Sequence, residues 1–95
     1  MVRASDSGTN STATAGGITT TNANDVVMFG VGDHDTGVYG APGPGTWTSL
    51  DPIAIDDVTQ GAWYRVVTAT ATYAPSVSDT GQQWDAVLVG FRVAP

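Results

Sequence analysis

Neither glutamate nor lysine occurs anywhere in this chain: all nine acidic residues are aspartate, and the three basic ones are Arg3, Arg65 and Arg92. Glu and Lys are the residues that most readily clothe the solvent side of a helix, so their absence removes the usual means of sustaining one. Thr, Val, Gly, Ala and Asp stand in their place, and these suit pleated strands and the turns between them. No stretch holds apolar residues at sustained three- and four-residue spacing, the mark of an amphipathic helix. The sequence therefore predicts an all-β protein.

Ninety-five residues with a formal charge of −6 leave room for one domain with a thin core. Three arginines make no basic stripe for phosphates, which excludes nucleic acid and an anionic membrane surface as expected partners. Cysteine is absent, so neither a disulfide framework nor a thiolate metal site is available. The opening Met1 to Asp6 lacks the apolar core of a signal peptide, and no apolar run approaches the roughly 20 residues of a membrane-spanning helix. A soluble chain, or one that reaches its destination within an assembly, is the expectation.

The pattern divides the chain into a flexible arm over residues 1–10 and a domain over 11–95. Within the Ser/Thr-rich tract, Ser11, Ala13 and Ala15 alternate with Thr12 and Thr14 as a weak edge strand that ends near Gly16 and Gly17. Asn10-Ser11-Thr12 also matches a glycosylation acceptor, relevant only in a eukaryotic secretory pathway. Residues Val26 to Val31 are apolar on both parities and read as a central strand with two faces to cover. A turn-rich loop over Asp33 to Gly45 follows, then a short strand around Thr46 to Leu50 and an acidic turn at Asp56-Asp57. Ala62 to Tyr73 reads as one long strand with a bulge or a change of environment near Arg65. Gln82 to Val93 is the last strand, again apolar on both sides.

The order Ile18-Thr-Thr-Thr-Asn-Ala-Asn-Asp-Val-Val27, Gly45-Thr-Trp-Thr48, Trp63-Tyr-Arg-Val-Val-Thr-Ala-Thr70 and Gln83-Trp-Asp-Ala-Val-Leu-Val-Gly-Phe-Arg92 resembles the C-terminal part of jelly-roll or immunoglobulin-like β-sandwich domains of phage structural and bacterial surface proteins. The resemblance spans roughly residues 11 to 93 and rests on strands and turns without a chemical signature. It implies an antiparallel β-sandwich of about five to six strands. In the larger relatives further strands precede this region, so half a sandwich would be completed by oligomerisation. A homo-oligomer is expected, because pairing would cover two-faced strands and close open edges.

Candidate chemistry is sparse. Asp33 and Asp35 are two apart, so in an extended segment both carboxylates point the same way, as a Ca²⁺ site would need. The competing reading, which we favour, is that aspartates beside glycine make turn-forming side-chain bonds and no cofactor is held. His34 is the only histidine. It is a poor general base for Ser49 or Ser76, since nothing like a nucleophile elbow surrounds either serine, and an enzyme is not expected. The rings of Trp63 and Trp84 are expected in the core, because burying them supplies a large share of the stabilisation available to so short a chain. Tyr39 and Trp47 flank the Pro/Gly loop and are the expected ligand-binding pair. The function predicted is a non-enzymatic structural or assembly module of a virion or of the extracellular cell surface, associating with itself and with other virion or surface proteins. The alternative is a carbohydrate-binding module, calcium-assisted, that recognises glycans.

Overall fold

The computed structural model describes residues 2–9, 11–21, 24–33, 40–55, 58–78 and 83–92, and along 51–59 the description is of the backbone alone. These residues form nine strands: β1 Val2–Gly8, β2 Thr12–Thr14, β3 Ile18–Thr19, β4 Asp25–Asp33, β5 Thr48–Ile55, β6 Val58–Val67, β7 Thr72–Tyr73, β8 Ser76–Ser78 and β9 Trp84–Arg92. No described residue is helical. The protein is all-β and antiparallel, with a sandwich-like arrangement of one large sheet and a smaller second layer.

The large sheet has the order β1-β9-β4-β6-β5. Its centre is β4, whose backbone donors and acceptors are met on both sides by β6 and β9. Because successive side chains of a strand point to opposite faces, register assigns every residue of the sheet to one of two surfaces. The inner face carries Val27, Phe29 and Val31 of β4, Trp63 and Val67 of β6, and Ala86 and Leu88 of β9, all buried. Phe29 stacks on Trp63 at a centroid distance of 5.7 Å and meets the Trp47 ring at 6.4 Å. Trp84 is likewise buried, so both tryptophans expected in the core are there.

The second layer that covers this inner face comes from two distant stretches of chain. β2 pairs with β8 in the register Ala13↔Val77, and β3 pairs with β7 in the register Ile18↔Tyr73. Between these two short ladders, residues 15–17 face residues 74–75, so one side carries an extra residue. Gly16, at φ 84°, takes the left-handed turn that this offset requires and that side chains with a Cβ resist. Thr14 spans the break: its Oγ1 donates to the Pro75 carbonyl at 2.9 Å and accepts from the Gly16 N–H at 3.2 Å. The Gly43 and Ser76 backbones exchange hydrogen bonds at 2.9 and 3.0 Å, which ties the Pro/Gly segment to the same layer. Ala13, Ala15, Ile18, Pro75 and Val77 are buried apolar residues of this layer.

Several expectations differ from what is observed. The segment read as a flexible arm holds β1, paired along its length with β9 from Val2↔Gly90 to Gly8↔Trp84. Its polar composition suits an edge strand with one side in water, which by sequence alone resembles an unattached arm. Gly8 allows the close approach, since a Cβ there would meet Trp84 Cζ2 at 2.7 Å. The short strand expected at Thr46 to Leu50 runs on as β5 to Ile55, with a register shift between Leu50 and Ile53 where Pro52 removes a ladder donor. The long strand expected over Ala62 to Tyr73 is two strands in different layers, β6 and β7. The change of environment comes after Val67, not at Arg65, whose register with Val27 continues that of Trp63. The acidic turn at Asp56-Asp57 lies outside the described residues.

Two measurements check this architecture. Phe29→Ala is expected to cost about 3–5 kcal/mol in urea unfolding, because the ring is fully enclosed, while Thr68→Ala on the surface should stay within about 0.5 kcal/mol. Deleting residues 1–9 is expected to lower the melting temperature by at least about 4–8 °C, the equivalent of roughly 1 kcal/mol in a domain of this size. An unchanged melting temperature would mean that β1 adds nothing to the sheet.

Candidate interaction surface

The outer face of the large sheet is also apolar at its centre, and among the described residues no strand lies over it. Register places four rows of side chains across β6, β4 and β9. The first row is Val66, Val26 and Phe91; the second is Tyr64, Met28 and Val89. The third row is Ala62, Gly30 and Val87; the fourth is Gln60, Gly32 and Asp85. Val66 is 64% exposed, Val87 45%, Phe91 43% and Met28 37%, values that belong to open surface. On β5, Leu50 extends the third row and is exposed as well.

This face is uneven along the strands. Its first two rows are bulky, whereas Gly30 and Gly32 leave the other end without side chains on β4. The result is an open trough of about 830 Å³ between Gln60 and Ala62 on one side and Ser5, Ser7, Asp85 and Val87 on the other. A Cβ at Gly32 would have nothing within 4 Å, and one at Gly30 would touch Val87 Cγ1 at 3.5 Å, so neither glycine is required by packing within the subunit. Charged residues are few here: among the described residues of these rows and their β1 neighbours they are Arg3 and Asp85, at the β1 side. The Phe-Gly-Val-Gly sequence over residues 29–32 was the available signal for the trough. It became meaningful only once register put both glycines on one face.

Trp47, expected as an exposed ligand platform, is half-buried, packed against the core through Phe29, with its indole N–H donating to the Pro44 carbonyl at 3.1 Å. It borders a crevice of about 270 Å³ with Arg65 and Tyr73. The Arg65 guanidinium carbon lies 5.5 Å from the centroid of the Tyr73 ring, a cation–π contact, and Tyr73 Oη donates to the Ala69 carbonyl at 2.8 Å. Tyr39, its expected partner in ligand binding, lies outside the described residues. So do Asp35 and His34.

Asp33 is buried at the end of β4, opposite Thr59 and Trp84 in register. Among the described residues no group of three or more His, Cys, Asp or Glu side chains gathers as a metal site would. Ser49 and Ser76, the serines weighed as nucleophiles, belong to different sheets, in β5 and β8.

Gly45 holds the crevice together. Its φ of 92° is one that L side chains resist, and a Cβ there would overlap the Arg65 guanidinium. Gly45→Ala is therefore expected to destabilise the fold by about 1–3 kcal/mol and to displace Arg65 from Tyr73, measured by thermal unfolding and by the tyrosine ring shifts in NMR. The chain matches no protein-family model, no curated protein and no solved structure.

Proposed function

We propose that this chain is a non-enzymatic assembly module that works by packing its outer sheet face against a second copy of itself. The observation that carries this reading is the uncovered apolar surface made by Val26, Met28, Val66, Val87, Val89 and Phe91. Contiguous apolar surface of this kind is uncommon on monomers and marks a site of association. A net charge of −6 opposes close approach of two copies, while the described residues of these rows and their β1 neighbours hold one arginine and one aspartate, at the margin. The likeness to phage structural and bacterial surface sandwiches suits a component of a virion or of the extracellular surface, where strand pairing and sheet packing do the work.

A second reading, glycan binding, has the crevice beside Trp47, Arg65 and Tyr73 in its favour, since aromatic rings beside a cation can hold a sugar. The crevice is small and its tryptophan is turned onto Phe29, which is why we place it second.

Light scattering on a sizing column across a dilution series tests the first reading. A dimer or higher oligomer at micromolar concentration is expected, and Val66→Asp is expected to reduce it to monomer without loss of the far-ultraviolet β spectrum. A monomer at every concentration would overturn self-association. A rise in melting temperature with Ca²⁺ or a glycan, lost in Trp47→Ala, would favour the second reading instead.

A further inference from the structure

We infer that the two copies pair face to face about a two-fold axis lying between the sheets and perpendicular to their strands, so that the bulky end of each outer face seats in the glycine trough of the other. This rests on the self-association reading and specifies its geometry. The basis is the unevenness of the face: Val26 and Met28 project at one end of β4, and Gly30 and Gly32 leave it bare at the other.

Two symmetric ways of stacking such a face exist. An axis parallel to the strands sets bulky rows against bulky rows and leaves two hollows facing each other, which forfeits contacts in both halves. The perpendicular axis reverses the row order. Met28 of one copy then lies over Gly30 of the other, Val26 over Gly32, and Tyr64 over Ala62. On β4 and at the centre of β6 each large side chain meets a small one, while on the flanks Val89 lies over Val87, Val66 over Gln60 and Phe91 over Asp85, and because the relation is two-fold every contact is made twice. The pair closes on itself and leaves no outer face to recruit a third copy.

The size is adequate. With strands about 4.8 Å apart and alternate residues about 6.8 Å apart, five strands and four rows give a face of roughly 24 by 27 Å, or about 650 Å² in projection. The accessible area of a textured surface exceeds its projection, so the face approaches the roughly 800 Å² per partner of a stable interface. Stacked sheets approach to about 10 Å, a separation that a row of Met and Val facing Gly and Ala can fill.

The test is a size-exchange series on the full chain, each variant checked by circular dichroism and thermal melting and then measured for dimer dissociation. Gly32→Val has open space in the subunit and favours strand, so it should keep or raise the melting temperature while weakening the dimer by about tenfold or more. Met28→Ala and Gly30→Met should each weaken it too, the first by emptying the trough and the second by blocking it. Combining Met28→Ala with Gly30→Met exchanges the large and small positions, which the perpendicular axis superposes, and should restore most of the affinity. If the double variant is no tighter than the weaker single one, yet Val66→Asp still yields monomers, the reversed-row geometry is wrong and self-association stands. If the wild-type chain is monomeric throughout, both fall together.

Discussion

The large sheet has two apolar faces, and the described residues cover one of them. Five strands make the sheet itself, and among the described residues a pair of two-stranded ladders assembled from residues 12–19 and 72–78 lies across it. Phe29, Trp63 and Leu88 are buried between the layers, and the Phe29–Trp63 stack lies among them. Everything else in the architecture follows from which face received the cover. Residues of odd number on β4 became the core, and those of even number became surface, although both sets would satisfy a core equally well by hydropathy.

The cover is held by backbone pairing more than by side-chain volume. Its buried apolar members include Ala13, Ala15, Ile18, Pro75 and Val77, two of them alanines, so the two layers can approach closely over the aromatic rings of the sheet. Thr14 and Gly16 manage the offset between the ladders, and the bridge between Gly43 and Ser76 anchors the Pro/Gly segment beside them. Gly45 and Arg65 continue the same logic at the border of the layers: an arginine on the inner parity of β6 is accommodated because its guanidinium reaches past Gly45 to the Tyr73 ring. A charged head at a layer margin keeps its stem against apolar neighbours without taking its charge into the core.

The open face has a texture that the covered one lacks. On the inner side, side chains of Phe, Trp, Leu and Val fill the space between layers, as close packing within a subunit demands. On the outer side, glycines stand at two successive outward positions of a central strand, where they weaken the strand, and the space above Gly32 is open. Within the isolated subunit that arrangement has no stabilising role. In the two-fold pairing we propose, the same glycines would receive Met28 and Val26 of a second copy.

Strand identity was legible in composition and period: the absence of Glu and Lys, the β-branched runs and the turn residues were enough to specify an antiparallel, all-β chain and to locate β4, β6 and β9. The burial of Trp63 and Trp84 was legible too, because a chain this short needs its large rings inside to supply enough apolar area. Position in the sheet was not legible. Val2 to Gly8 reads as a polar arm until β9 is beside it, since an edge strand needs no apolar pattern of its own. Nor was the split of Ala62 to Tyr73 into two layers, because its β-forming residues continue unbroken past Val67 and only packing decides where the chain leaves the sheet. Local sequence determined which residues would be strands, through backbone preference and alternation. Tertiary structure decided which face of those strands would meet water, since that depends on where distant segments come to rest.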